Sequence, residues 1–152
     1  MTILIAHRGN ISGPVPMLEN QIVYLFSAIY QGYDVEADIW YHDHSWWLGH
    51  DSPTYNVNIN DLENMSAHTW FHAKNAGAYQ QLAGMSYNVF SHDQEPYAVT
   101  SKGWVWSHNG FINPTGIIVM PSLTTEQHLI TNCAGVCHDY LLDVAAIIRN
   151  NG

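Results

Sequence analysis

Asp34-Val35-Glu36-Ala37-Asp38-Ile39-Trp40-Tyr41 is the stretch on which the reading of the fold turns. Val35, Ala37 and Ile39 fall on one side and Glu36, Asp38 and Trp40 on the other, which is the two-residue period of a β-strand. The carboxylates of Glu36 and Asp38 therefore project from one face. Burying two like charges is costly without a cation between them, so a divalent metal is their natural partner. An all-carboxylate pair suits Mg²⁺ or Ca²⁺, hard ions that also neutralise phosphate oxygens.

Upstream, the apolar run at residues 3–6 ends at His7-Arg8-Gly9 and reads as a buried strand with polar groups at its C-terminal end. A loop with Gly13, Pro14 and Pro16 follows. From Leu18 the apolar residues Ile22, Leu25, Phe26 and Ile29 recur at helical spacing and stop at Gly32, which predicts a first helix. Downstream, a polar turn leads into a return run at 46–49. Asn60 and Glu63 have the spacing of a capping box that opens a short helix, and 69–74 reads as another strand. A helix over about 75–84 comes next. Further strand candidates lie at 87–91, 96–100, 103–107, 116–120 and 135–138, with helices near 123–131 and 141–149.

This alternation predicts an α/β fold with a largely parallel sheet. A complete eight-fold β/α barrel needs about 250 residues. With 152 residues the chain is expected to form a single domain, 1–152, built as a compact or incomplete TIM-like β/α barrel with missing or very short helices.

Bulk composition narrows the function. Four Lys or Arg against thirteen Asp or Glu leave a formal charge of -9, so no nucleic-acid-binding face is expected. A hydrophobic content of 47% is enough for a core. No run of about eighteen apolar residues predicts a membrane span. The N-terminus lacks the pattern of a secretory signal. Cys133 and Cys137 make neither a disulfide framework nor a paired zinc motif, and are expected to be buried free thiols of a cytoplasmic protein. The oligomeric state is not legible.

The chemistry gathers at strand ends, where open α/β folds place their sites. His7 and Arg8 end the first strand, Glu36 and Asp38 lie on the second, His50 closes the return run as Leu48-Gly49-His50-Asp51, and Lys74 ends the next strand. Two of only four basic residues thus sit at strand ends. Two imidazoles can exchange protons near neutral pH, while Arg8 and Lys74 bind phosphate oxygens, an inventory that suits phosphoryl chemistry.

In order and spacing, Ile5-Ala6-His7-Arg8-Gly9, Leu18-Glu19-Asn20, Val35-Glu36-Ala37-Asp38 and Leu48-Gly49-His50-Asp51 resemble the signature of the glycerophosphodiester phosphodiesterases. Weaker matches continue over Trp70 to Lys74 and at Gly135-Val136-Cys137-His138-Asp139-Tyr140. The resemblance implies a β/α-barrel phosphodiesterase acting on a small phosphodiester. His7 and His50 would be its general acid and base, Glu36 and Asp38 its metal ligands, Arg8 a phosphate contact, and Glu19 and Asp51 supporting residues. In such enzymes a neighbouring substrate hydroxyl attacks phosphorus to give a cyclic phosphodiester that water opens. Sphingomyelinase D-like relatives stop at the cyclic product, and a catalytically weak phosphodiester-binding protein of the same fold is the remaining alternative. One position departs from the pattern. Relatives carry a carboxylate two residues before the strand-end lysine, whereas this chain has His72-Ala73-Lys74, so His72 stands where the third metal ligand is expected.

The remaining polar residues have plainer readings. His42, His44, His68, His108 and His128 read as surface or satisfied core residues. Ser91-His92-Asp93-Gln94-Glu95 reads as a polar loop or a source of extra ligands. Trp46, Trp47, Trp104 and Trp106 read as packing. Asp139 can either support a catalytic His or cap the structure around it.

Overall fold

The computed structural model describes residues 1–108 and 111–152. In chain order its elements are β1 (Ile3–His7), α1 (Ile22–Tyr30), β2 (Asp34–His42), β3 (Ser45–Leu48), β4 (Tyr55–Val57), α2 (Ile59–Met65), β5 (Thr69–Ala73) and α3 (Ala76–Gly84). They continue with β6 (Val89–Phe90), β7 (Tyr97–Val99), β8 (Val105–Ser107), β9 (Ile117–Val119), α4 (Gln127–Ile130), β10 (Gly135–His138) and α5 (Leu141–Asn151). Parallel pairing runs β6-β5-β2-β1-β10-β9-β8, and β7 adds an antiparallel edge on β8. The architecture is mixed α/β, with the sheet curled into a half-barrel.

The alternation along each strand sorts side chains between two apolar layers. Ala6, Val35, Ala37, Ile39, Phe71, Ala73 and Val136 face the helices and pack with Leu25, Ala28, Leu82 and Val144. Ile5, Trp70, Phe90, Trp106, Ile117 and Cys137 form the second layer, on the concave face. No backbone ladder joins β6 to β8 among the described residues. Phe90 and Trp106 fill that gap with their rings 4.5 Å apart, and Ser101 N–H, following β7, donates to Val89 O at 2.8 Å.

Three expectations need correction. The first helix begins at Ile22 rather than near Leu18. Asn20 holds a left-handed φ of 63°, which no helix accommodates, and residues 15–21 form turns instead. The cap of α2 is Asn58, whose side chain accepts from Asp61 N–H at 2.9 Å, so the helix starts before the Asn60–Glu63 pair. Strand β4, absent from the sequence reading, completes an antiparallel flap with β3. Cys133 and Cys137 are free thiols, but only Cys137 is buried, Cys133 being partly exposed. Among the described residues no helix is long and apolar enough to cross a membrane.

The flap decides where His50 goes. Carbonyls of alternate residues in a strand point to opposite edges. Arg8 N–H takes Glu36 O and Gly49 N–H takes Asp38 O along one edge of β2, while Lys74 N–H takes Ile39 O on the other. The β3 return thus occupies the edge of β2 that β1 vacates, which carries His50 over the end of β1. Gly49 makes the sharp exit: its φ is 148°, and a Cβ there would collide with Ser52 O.

Candidate functional site

His7, Arg8, Glu36, Asp38, His50 and His72 line one cavity of about 190 Å³ at the C-terminal ends of β1 and β5 and over the middle of β2, which runs on past them. Its floor is apolar, formed by Phe90, Trp106 and Val119, and His92 and His108 close its far side.

Glu36 and Asp38 are both almost fully buried. Burial and the Asp38 charge push the Glu36 carboxyl up to about 7. Asp38 is held the other way. Burial opposes its ionisation, but His72, Asn20 and Arg8 outweigh it and keep the group well below the usual carboxylate range. Asn20 clamps Asp38 from both sides, donating Nδ2–H to Oδ2 at 2.9 Å and accepting Asp38 N–H on Oδ1 at 2.9 Å. Arg8 Nε lies 3.2 Å from the same Oδ2, an ion-pair contact whose angles fall short of a hydrogen bond. Arg8 Nη1 donates to Glu19 Oε1 at 3.2 Å, so Glu19 steers the guanidinium from the turn before α1. Arg8 itself holds a left-handed φ of 53°, and Asn20 shares that conformation. Two such residues beside one carboxylate are the local strain that tends to accompany functional sites.

The other oxygen, Asp38 Oδ1, is buried and receives no hydrogen bond among the described residues. Around it stand His72 Nδ1 at 3.1 Å and Lys74 Nζ at 4.0 Å, and His72 Nδ1 is also 3.7 Å from Glu36 Oε1. One ligand atom from each of Glu36, Asp38 and His72 lies within 4.8 Å of the others. Ligand atoms on one face of an octahedral ion at about 2.1–2.3 Å are spaced about 3 Å apart. One such atom from each of the three residues could serve as a ligand to a divalent ion, which would satisfy the orphaned oxygen. An imidazole among the donors moves the preference from Ca²⁺ toward Mn²⁺ or Zn²⁺.

His7 bridges two carboxylates. Its Nδ1 is 2.8 Å from Asp139 Oδ1 and its Nε2 is 3.7 Å from Glu36 Oε2. Burial alone would lower the His7 pKa, but the Asp139 hydrogen bond and the Glu36 charge outweigh it and raise the imidazole above its usual value. Asp139 is fixed in turn by Asn10, which donates Nδ2–H to Oδ1 at 2.8 Å and accepts the Tyr24 hydroxyl at 3.0 Å. Of the two roles open to Asp139, the contact is that of a residue orienting a histidine. His7 thus favours folding below its unfolded pKa of about 6.5, and that contribution fades as pH rises through the folded value. Asp139→Asn is expected to lower the His7 pKa and move this loss to lower pH, read by NMR titration of the His7 ring; an unchanged titration would show that Asp139 does not set it.

His50 is less constrained. Its side chain is 43% exposed, and its Nδ1 is 2.7 Å from Asp51, whose carboxylate is 93% exposed. Asp93 and Glu95, considered as replacement ligands, are not brought to the carboxylates: the Glu95 side chain accepts Asp93 N–H at 2.9 Å on an exposed loop. His92 and His108 are brought there, stacked with ring centroids 3.7 Å apart. His108, read from the sequence as a surface or core residue, is a wall of the cavity. Burial, then the neighbouring His92, His72 and His7, push its pKa down to about 4. No spacing in the sequence marked this pair, nor the support given by Asn10; Asn20 stood in a quoted motif without a role.

No family model matches the chain, and neither the curated proteins nor the solved structures contain a match to it.

Proposed function

We propose that the chain is a metal-dependent phosphodiesterase of the glycerophosphodiester phosphodiesterase type, acting on small phosphodiesters in a pared-down TIM-like β/α barrel. The observation that carries this reading is the convergence of His7, Arg8, His50 and the Glu36–Asp38–His72 cluster on one small cavity. In this reading Glu36, Asp38 and His72 hold a divalent ion, which when bound neutralises phosphate charge. Arg8 and Lys74 add fixed positive charge for the phosphate oxygens. The Asp139 contact places the Nδ1 proton of His7 and leaves Nε2 for proton transfer, and the Asp51 contact does the same for His50. One histidine takes the proton of the attacking substrate hydroxyl as its oxygen bonds phosphorus. The other gives a proton to the departing alcohol as its P–O bond breaks. The cyclic diester so formed is opened by water in a hydrolase and released in a lyase.

Phosphorus NMR on glycerophosphocholine, a lysophospholipid and an aryl phosphodiester tests this reading, because cyclic and monoester products have distinct signals. Metal-dependent product from any of them supports it. Phosphodiester binding without turnover would leave only a binding protein.

His72 offers a separate check. An imidazole is a softer donor than a carboxylate, so a coordinating His72 should make the site prefer Mn²⁺ or Zn²⁺ over Ca²⁺. His72→Glu is expected to bind Mg²⁺ or Ca²⁺ more tightly and to lose the preference for Mn²⁺ or Zn²⁺, measured by calorimetric titration with each ion at pH 8. Unchanged affinity and unchanged preference among these ions would place His72 outside the coordination sphere.

A further inference from the structure

A cavity of about 470 Å³ opens at the opposite end of the sheet from the carboxylates. Asp34 begins β2, Thr69 and Trp70 begin β5, and Tyr87 and Asn88 precede β6, so much of its lining comes from the N-terminal ends of these parallel strands. Lys102 and Trp104, on the turn between β7 and β8, complete it. The two walls are tied to each other. Ser101 donates its hydroxyl to Tyr87 O at 2.7 Å and accepts Val89 N–H at 3.0 Å. Within the turn, Thr100 N–H bonds Trp104 O at 2.8 Å, and Gly103, at a φ of 86°, allows the tight return. Trp104 is partly exposed and meets Trp70 edge-on, with ring centroids 5.6 Å apart. A site whose walls are fixed in this way loses little freedom when it binds.

The groups around this cavity are mixed in charge. Asp34 is held by Trp70 Nε1–H at 3.0 Å and by His68 Nδ1 at 3.2 Å, yet its side chain stays 25% exposed. A carboxylate offers about four acceptor positions, so Asp34 can take further hydroxyl donors. Lys102 is exposed and forms no ion pair among the described residues, which leaves its ammonium donors open. Opposite charges in one cavity decide the class of ligand, because the carboxylate repels an anion and the lysine repels a cation. A neutral ring with several hydroxyls uses both, and an indole suits its apolar C–H face. We propose that this cavity binds a neutral pyranose sugar. Asp34 accepts from adjacent hydroxyls, Lys102 donates to a sugar oxygen, and Trp104 packs on the ring. The volume equals about fifteen waters, room for one pyranose and its substituents. The site shares no lining residue with the carboxylate cavity and stands whether or not the chain is a phosphodiesterase.

The test is a proton–nitrogen NMR titration of the full chain with the methyl glycosides of glucose, galactose and mannose, carried into the tens of millimolar. Choline and inorganic phosphate serve as the cationic and anionic controls. The indole N–H of Trp70, which donates to Asp34, and that of Trp104 report on the site directly. At least one glycoside is expected to shift both signals saturably, and neither control should. Lys102→Ala and Asp34→Asn, each checked for the wild-type circular dichroism spectrum, should weaken that binding about 10-fold or more, the scale of a lost hydrogen bond to a charged group. No saturable shift with any of the three glycosides overturns the proposal. So does unchanged affinity in a folded variant, or a set of shifts confined to His7, His72 and their neighbours. Saturable binding of choline or phosphate without any glycoside makes the cavity an ion site and overturns it as well.

Discussion

Replacing His7 by alanine is expected to lower phosphodiester turnover about 10²–10⁴-fold, the scale of a lost general acid or base. The geometry explains why this imidazole is suited to the task. Asp139 holds Nδ1 at 2.8 Å, which selects one tautomer and aims Nε2 toward the Glu36 side of the cavity. The same contacts raise its pKa, so the limb of the pH–rate profile that belongs to His7 should lie above about 6.5, the unperturbed value. His50→Ala is expected to cost a similar factor by a different route, because His50 reaches the cavity from the β3–β4 flap and is oriented by an exposed carboxylate. Steady-state kinetics on both variants, with metal affinity measured alongside, separates lost proton transfer from lost metal. Near-normal turnover in His50→Ala would remove that residue from the mechanism.

Turnover is expected to vanish in excess chelator and to return with a divalent ion, and Glu36→Gln should abolish both the activity and the metal dependence. The second effect can be read without catalysis. In the metal-free protein the Glu36 carboxyl keeps its proton to about 7, against 4.5 for an unperturbed side chain. Between those values the unfolded chain binds fewer protons than the folded one, so metal-free stability falls as pH rises through that window. The loss comes from ionising a carboxyl that burial and the Asp38 charge hold neutral. Bound metal removes it by stabilising the ionised form and adds about 2.7 kcal/mol at a hundredfold excess over Kd. Thermal melts at pH 5 and pH 8, with and without Mn²⁺, should therefore show a large metal-induced rise at pH 8 and a small one at pH 5. In Glu36→Gln the metal-free protein should melt higher than wild type at pH 8, and added ion should change little. Full activity in excess chelator, or a wild-type metal response in the variant, defeats the assignment.

The alternation through Val35-Glu36-Ala37-Asp38-Ile39 already required two carboxylates on one face of a strand, and that face proved to be the concave one. The apolar run before His7 and the helical spacing after Leu18 were equally legible, because each reflects local periodicity. The start of α1 was not. Leu18 obeys the helical spacing, but Asn20 spends its amide on Asp38, and a contact across 18 residues outweighs local preference. Likewise Asn58 rather than Asn60 caps α2, a choice between two similar side chains made by where the chain arrives from β4.

By itself, then, the sequence determined which side chains leave each strand on the same face and where strands end, since a two-residue period leaves no other choice once one face is apolar. It also placed Glu36 and Asp38 on one face of a single strand and His72 two residues before the lysine that ends another. Only the tertiary structure decided their company. Asp139 meets His7 across 132 residues because β10 pairs beside β1. His108 faces His72 and His7 because the curl of the sheet brings β8 opposite β5 and β1. Periodicity sets the direction a side chain points, but which directions converge is set by how the whole sheet curls to bury Phe90, Trp70 and Trp106, a many-body packing result that no local stretch encodes.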